Sequence, residues 1–273
     1  MNYRSSARAA GIIVTREFKR FFRQRGRLFS SLARPLFWLF VVGPGFQRLV
    51  ETNQGISYQQ FLFPGVLGIV VLFGSMLASL STVYDREFGI MRMMLIAPVS
   101  RATIVWAKIA GGSLLSVFQA LVLLVVAPFL DLRLGILQLV SILLCLLITS
   151  FAVASLGMLL AARIDSLENF STIMNFVVFP MFFLSGGLYP VKLLPSALRT
   201  AVYLNPMTYG IDLFKHVLLP PQTSSRLTAD LPVVLDVAVL MVMSLAAAAV
   251  ATFLFDKEAK LMKLTRTAVR ETN

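Results

Sequence analysis

The chain has 273 residues, of which 58% are hydrophobic and only 14% are charged, and its mean hydropathy is +0.81. Soluble domains carry roughly 25% charged residues, so this composition excludes a soluble enzyme. One cysteine and one histidine exclude a disulfide framework and a cluster of soft metal ligands, and we expect no metal or cofactor on this chain.

The first 34 residues are strongly basic and precede the first apolar run. Residues 8–27 place Ile12, Ile13 and three phenylalanines on one side of a helix and most of the arginines on the other. This pattern predicts an amphipathic helix that lies in the plane of the membrane interface. Two roles stay open for it, a simple lipid anchor or a helix that also transmits force between a cytoplasmic partner and the first span.

Apolar runs predict six transmembrane helices. The first run is interrupted by proline and glycine, which predicts a kink, and the later five each have at least 19 residues, enough to cross about 30 Å of hydrocarbon. The expected spans are residues 36–50, 61–83, 104–130, 136–162, 170–188 and 233–255. We therefore predict an all-α polytopic membrane protein with an interface helix (1–34), a transmembrane domain (35–255) and a basic tail (256–273).

Basic residues are concentrated in segments 1–34, 84–103 and 256–273. Loops rich in lysine and arginine stay in the cytoplasm, so both termini are expected there, in a multi-pass protein of the cytoplasmic (inner or plasma) membrane. Contact with anionic lipid heads accounts for the net charge of +12. Nucleic acid is therefore not an expected partner.

An energy source is missing from the sequence. There is no phosphate-binding loop of the G-x-x-x-x-G-K-[ST] type. The predicted spans also lack a relay of buried carboxylates or histidines, with Asp236 near one end of the last span. The protein is therefore either passive or driven by another polypeptide. An intramembrane enzyme is a further alternative, but it would need converging His, Glu or Asp residues at membrane depth, and the spans lack such a cluster.

Segment 84–103 has the pattern of a short helix on the cytoplasmic surface. Met91, Met94 and Leu95 fall at helical spacing, Pro98 ends the helix, and Ser100 caps the next span. A methionine-rich apolar face of this kind suits a groove on another protein. The alternative is an amphipathic loop that contacts only lipid.

Proline and glycine divide the long connection 189–232 into short pieces. Residues 193–204 and 207–218 are expected to form brief re-entrant helices before the last span, separated at Asn205-Pro206. They would form a lid over the outer end of a path. A lid without substrate contact remains the alternative.

Paired small residues and aromatic residues mark the spans. Gly65, Gly68, Gly74, Gly112 and Gly157 predict places where helices approach closely. No role is assigned to Cys145 or His216. The candidates for lining a substrate path are Phe37, Phe118, Gln119, Met174, Phe182 and Phe183.

Two separated motifs resemble those of ABC-2 type transporter permeases. The first begins with D-R-E-F-G at Asp85 and ends with A-P-V-S-R at Arg101. The second runs F-P-M-F-F-L-S-G-G-L-Y-P from Phe179 and continues as L-N-P-M-T-Y-G-I-D from Leu204. The resemblance spans about residues 16–255 and is strongest to the drug-exporter, antibiotic-resistance branch, with Met93 replacing a glutamate that is common in the family.

This resemblance implies a homodimer of permeases joined to two cytoplasmic ATP-binding subunits, which carry the ATP and Mg²⁺. The expected activity is outward movement of an amphipathic drug-, lipid- or glycolipid-like substrate; the alternative is a passive channel or a structural membrane protein without an ATPase partner. The implied coupling residues are Arg86, Glu87, Gly89, Met91, Met94, Leu95 and Pro98. The implied interface-helix residues are Glu17 and Arg20, and the lid residues are Gly186, Gly187, Pro190, Asn205, Pro206 and Tyr209.

Overall fold

The computed structural model describes residues 3–23, 26, 33, 35–47, 57–96, 99–219 and 229–271. Within these residues the protein is helical and contains no strand. The helices are α1 (Tyr3–Arg23), α2 (Pro35–Gly45), α3 (Tyr58–Glu87), α4 (Ile90–Ile96), α5 (Arg101–Leu124), α6 (Ile136–Ala161), α7 (Leu167–Phe183), α8 (Ser196–Leu204), α9 (Pro206–Leu218) and α10 (Val233–Glu271).

Four helices are long and apolar enough to cross a membrane: α3, α5, α6 and the Val233–Phe255 part of α10. The other two predicted spans are shorter. The first appears as α2, which contains a π-helical turn at Trp38–Val42, and the fifth appears as α7 with 17 residues. The prediction of a helical membrane protein is confirmed, whereas the count of six spans is supported for four helices only.

Helix α3 lies at the centre of the bundle, against α5, α6, α7 and α9. Its first turn is fixed by a capping box in which Gln60 N donates to Ser57 Oγ at 3.2 Å and Ser57 N donates to Gln60 Oε1 at 2.9 Å. From Phe61 to Leu72 every side chain is buried. A helix that is apolar on all sides must be surrounded by other helices, which explains this position.

The bundle has two distinct ends. The basic end carries α1, α4, the Glu87 end of α3 and the turn between α6 and α7. The lid end carries the start of α3, α8 and α9, and it is joined by hydrogen bonds from Tyr58 Oη to the Leu188 carbonyl at 3.1 Å and from Gln60 Nε2 to the Leu130 carbonyl at 2.9 Å. Phe255 of α10 lies at the basic end, where the Arg86 guanidinium is 5.2 Å from its ring centroid.

The outward faces of α6 and α10 are apolar and exposed, at residues such as Ile136, Leu137, Val234 and Val242. Only about a third of the most apolar window of α6 is buried, compared with 89% for α3. Such faces match lipid tails, or the apolar surface of another membrane helix. The two helices therefore form the periphery of the bundle.

Backbone contact joins the centre of the bundle to the lid end. A Cβ atom on Gly65 would lie 2.3 Å from the Gly187 carbonyl oxygen, so only glycine fits there. Glycine is also required at Gly186, whose φ is +73°. The predicted close approach at Gly65 is confirmed, and its partner is the turn that follows α7.

We expect Gly65→Ala to destabilise the protein because the added methyl group must push α3 away from Gly187. The expected cost is about 1–3 kcal/mol, as for overpacking of a core. Thermal unfolding of the purified protein in detergent measures it. Gly45→Ala is the matched control, because a Cβ at Gly45 meets no atom within 4 Å; equal melting temperatures for the two variants would contradict the contact.

Candidate functional site

A buried lysine holds three helices together at the basic end. Lys108 Nζ of α5 donates to Asp85 Oδ2 of α3 at 2.6 Å and to Glu17 Oε1 of α1 at 3.2 Å. Ser81 Oγ accepts a further bond at 3.4 Å. Lys108, Asp85 and Glu17 are all buried, so each charge depends on the others for compensation.

Two arginines of α1 complete this cluster from its outer side. Arg16 Nη2 forms an ion pair with Asp85 Oδ1, and Arg20 Nη1 lies 3.7 Å from the same oxygen. The Arg20 guanidinium also lies over the Tyr84 ring, 4.1 Å from its centroid. Helix α1 is therefore docked onto α3 and α5 through charge as well as through its apolar face.

The next residue of α3, Arg86, faces the end of α6. Its Nη1 donates to the carbonyl oxygens of Ala161 at 2.7 Å and Ile164 at 2.8 Å, and it lies 3.4 Å from Asp165 Oδ1. The last carbonyls of a helix lack intrahelical partners and carry the negative end of the helix dipole. Arg86 therefore caps α6.

The residue after that, Glu87, faces the start of α7. Its Oε2 accepts a hydrogen bond from the Leu167 amide at 2.8 Å, while Ser166 Oγ accepts from Asn169 N at 3.2 Å. A carboxylate at a helix N-terminus is favoured by the dipole and by the unpaired amides. Arg86 and Glu87 thus hold the turn between α6 and α7 from both sides.

Gly89 turns the chain from α3 into α4. Its φ of +73° is the left-handed conformation that ends many helices and that favours glycine. Helix α4 then runs over Ile90–Ile96, and Ser100 Oγ accepts from Thr103 N at 3.1 Å to cap α5. The short helix and its following cap were both predicted, while Pro98 lies outside the described residues.

The apolar face predicted for docking is turned largely inward. Met91 is 5% exposed and packs with Val105, Met158 and Phe255 in the chain's own core. Met94 is half-buried, and its sulfur lies 3.6 Å from Arg16 Nη1. Neither side chain therefore lies free on the surface to enter a groove of a partner, and the side chain of Leu95 lies outside the described part of the chain.

Two other apolar side chains of this turn face outward. Phe88 is 58% exposed, with its ring 4.3 Å from that of Tyr84, and Met93 is 66% exposed. We call Phe88 and Met93 the exposed pair. They stand on a base that is fixed to four helices by Asp85, Arg86 and Glu87.

Lid residues are brought together at the other end of the bundle. Asn205 caps α9, because its Oδ1 accepts from Met207 N at 3.0 Å, and its Nδ2 donates to the Met181 carbonyl at 2.6 Å. Pro206 is the first residue of α9, and Pro190 precedes a short 3-10 turn. Tyr209 is buried and donates to the Tyr203 carbonyl at 2.6 Å.

The six side chains predicted to line a substrate path do not form one site. Phe182 packs on Trp38 with centroids 6.3 Å apart, and Phe118 packs on Phe22 of α1 at 5.4 Å. Gln119 and Met174 are buried, whereas Phe37 and Phe183 are exposed.

An apolar cleft of about 430 Å³ lies elsewhere, between α6, α7, α10 and the lid. Its lining has no charged residue, and none of the six predicted path residues belongs to it. The lining residues are Met76, Leu156, Leu159, Leu160, Val177, Pro180, Met181, Leu184, Ala201, Leu204, Asn205, Pro206 and Met243.

Comparison with known proteins identifies the family of this chain. The profile of the ABC-2 type transporter family matches residues 8–219, a range that includes most of α1, the charge cluster, the exposed pair and most of the lid. The chain belongs to the ABC-2 type transporter family. It is thus a membrane transport permease, and this family implies association with an ATP-binding subunit.

Two relatives illustrate the similarity of the permease to other members. A protein named transport permease ycf38, of Cyanophora paradoxa, is 30% identical over 205 residues, covering 74% of this chain and 71% of the relative. Nodulation protein J of Rhizobium leguminosarum bv. trifolii is 30% identical over 197 residues, covering 70% and 74% respectively.

Sequence reasoning missed Asp85 and Lys108 as a site in this permease. They are 23 positions apart, and the sequence places Asp85 at the start of the D-R-E-F-G motif and Lys108 inside the predicted span 104–130. A lysine inside an otherwise apolar run, at Lys108, was the available signal, since an ionisable residue there needs a partner.

We expect Lys108→Met to leave two buried carboxylates without their shared cation. Removing one partner of a buried ion pair costs about 3–5 kcal/mol, and α1 should be released from α3 and α5. The melting temperature and the rate of proteolysis within α1 measure both effects. Lys19→Met, at an exposed position of α1, is the matched control.

A second substitution separates charge from packing. Glu17→Gln in the Lys108→Met background should recover part of the lost stability, because it removes one of the uncompensated charges. Strictly additive losses would contradict a shared charge cluster.

Proposed function

We propose that this permease is the membrane-spanning subunit of an exporter driven by ATP hydrolysis on separate polypeptides. Two copies of the permease associate with two ATP-binding subunits, which carry ATP and Mg²⁺. The exporter moves an amphipathic drug-, lipid- or glycolipid-like substrate outward across the cytoplasmic membrane. The basic end, and with it both termini, faces the cytoplasm.

The observation that carries this proposal is the exposed pair, Phe88 and Met93, on an anchored base. Apolar side chains on a charged, solvent-facing turn suit insertion into a groove of another protein. A force applied there reaches α1, α3, α5, α6 and α7 without first deforming a flexible loop. Met93 replaces the glutamate common in the family, so the contact proposed at this position is apolar.

The energy source supports the same assignment. The sequence has no phosphate-binding loop, so ATP-driven transport against a gradient requires an ATP-binding site on another polypeptide. The family to which this chain belongs implies such a partner. The chain then acts as a translocating subunit and catalyses no reaction itself.

The apolar cleft supports the choice of substrate. It is bounded by α6 and α10 at the periphery of the bundle, and its lining carries no charge. Such a surface accommodates the hydrocarbon part of a lipid-like molecule and offers little to an ion. Outward direction rests on the similarity to the drug-exporter branch.

The surfaces of α1, α6 and α10 support the assembly. A groove beside α1 is lined by Arg8, Arg16, Lys19, Arg20 and Arg23, a suitable surface for anionic lipid heads. The apolar outer faces of α6 and α10 offer room for lipid and for a second permease copy.

We expect Phe88→Asp and Met93→Asp to uncouple transport from ATP hydrolysis. A charge in an apolar contact should cost about 1.4 kcal/mol or more of binding free energy. This weakens binding of the ATP-hydrolysing subunit by about tenfold or more. Co-purification in mild detergent, followed by ATP-dependent transport of a fluorescent amphipathic substrate in proteoliposomes, measures this. Phe129→Asp is the matched control, because Phe129 is exposed at the lid end.

Two results would count against the proposal. Uphill transport by the permease alone in liposomes would show that no separate motor is needed. Unchanged association and transport in both aspartate variants would show that the exposed pair is not the contact, even if an ATP-hydrolysing subunit co-purifies.

A further inference from the structure

Three side chains converge at the lid end where α9 meets the start of α10. Asp212 and His216 lie one turn apart on α9, and Asp236 lies in the first turn of α10. His216 Nε2 is 3.9 Å from Asp212 Oδ2 and 3.9 Å from Asp236 Oδ2. One ligand atom from each residue falls within 4.8 Å of the other two.

The Asp236 carboxylate lacks the partners that a buried charge requires. Its side chain is 0% exposed, and within the described residues neither oxygen has a hydrogen-bond partner. Burial of an ionised carboxylate is unfavourable unless a cation or several hydrogen bonds compensate it. Asp236 is directed toward Asp212 and His216, so a cation bound between these three groups would compensate its charge.

Asp212 is already held in position. It accepts hydrogen bonds from the amides of Asp230 at 2.8 Å and Leu231 at 2.9 Å, so this ligand is organised before an ion arrives. His216 Nε2 lies 2.8 Å from the Leu231 carbonyl oxygen, to which it donates its proton. Binding of an ion through Nε2 would replace this hydrogen bond and move the imidazole proton to Nδ1.

The nearby lysine is directed at a different carboxylate. Lys215 Nζ is 4.0 Å from Asp230 Oδ2 and 5.5 Å from the Phe61 ring centroid. Lys192 Nζ is also 3.5 Å from Asp230, at Oδ1. The two lysines therefore form their ion pairs with Asp230, and the Lys215 charge acts on Asp212 and Asp236 from beyond ion-pair distance.

We propose that Asp212, His216 and Asp236 bind a divalent transition-metal ion, with Zn²⁺ as the first ion to test. Zn²⁺ takes imidazole nitrogen and carboxylate oxygen at about 2.0–2.2 Å, which places tetrahedral ligands roughly 3.3 Å apart. The present distances of 3.9 Å require only small side-chain rotations. The Leu231 carbonyl or a water molecule can take the fourth position, and the imidazole then carries its proton on Nδ1.

The ion would join α9 of the lid to the last span. His216 is 30% exposed, so the site can be reached from the surface although both carboxylates are buried. The composition predicts no metal on this chain because one cysteine and one histidine cannot form a cluster of soft ligands. The set proposed here needs only one imidazole and adds two carboxylates. The site is independent of the proposed transport function.

The test uses the chain's only histidine as a reporter. The full chain, labelled with ¹⁵N-histidine and purified in detergent with an affinity tag that lacks histidine, is titrated with ZnCl₂. We expect the His216 imidazole resonance to shift and to saturate at one Zn²⁺ per chain. Asp236→Asn should abolish this saturation, and Asp131→Asn, an exposed carboxylate at the same end, should leave it unchanged.

A second variant covers the case in which Asp236→Asn fails to fold. His216→Gln changes a partly exposed residue, and calorimetric titration of this variant should show loss of the one-to-one Zn²⁺ binding seen in the natural chain. An imidazole that responds to pH but not to a tenfold excess of Zn²⁺ would overturn the proposal in favour of a protonated histidine between two carboxylates. Equal Zn²⁺ binding by Asp236→Asn, or by His216→Gln, would overturn it as well.

Discussion

One buried cation organises the basic end of this permease. Lys108 compensates Asp85 and Glu17 at the same time, and none of the three charges tolerates burial alone. Because the three residues belong to α5, α3 and α1, compensation of their charges requires these three helices to stay in contact. An interface helix that would otherwise rest on lipid is held against two core helices, and the turn that follows Glu87 acquires a fixed base.

The three consecutive residues of the D-R-E motif point in different directions, and each fixes the turn to different helices. Successive residues of a helix are rotated by about 100°, so Asp85, Arg86 and Glu87 contact α1 and α5, the end of α6 and the start of α7 respectively. Two of these contacts neutralise unpaired helix ends, which need a partner in any structure. The motif therefore serves the fold, and its position beside Phe88 places it next to the proposed contact with an ATP-binding subunit.

Local signals in the sequence were sufficient for four of the six predicted spans and for two helix starts. The long apolar runs gave α3, α5, α6 and the span of α10, and Ser100 and Asn205-Pro206 marked helix starts correctly. Pairings across the chain were beyond such signals: spacing placed Met91 on an apolar face, but only the tertiary structure shows that Val105 and Phe255 cover it. For the same reason the convergence of Asp212 with Asp236, and the separation of the predicted path residues, could not be read from periodicity.

The contact between Gly65 and Gly187 gives α3 a further property. This helix has 30 residues and a length of about 45 Å, and it runs from the lid contact to the D-R-E motif. It thus connects the proposed attachment of the ATP-binding subunit at the basic end with the Gly187 contact at the lid end. Pro64, adjacent to Gly65, lacks an amide donor, which makes it the position of α3 where a bend costs least. Because Gly65 follows Pro64, the segment from Gly65 to Glu87 can tilt as one helix, and a tilt at the basic end would reach the lid contact.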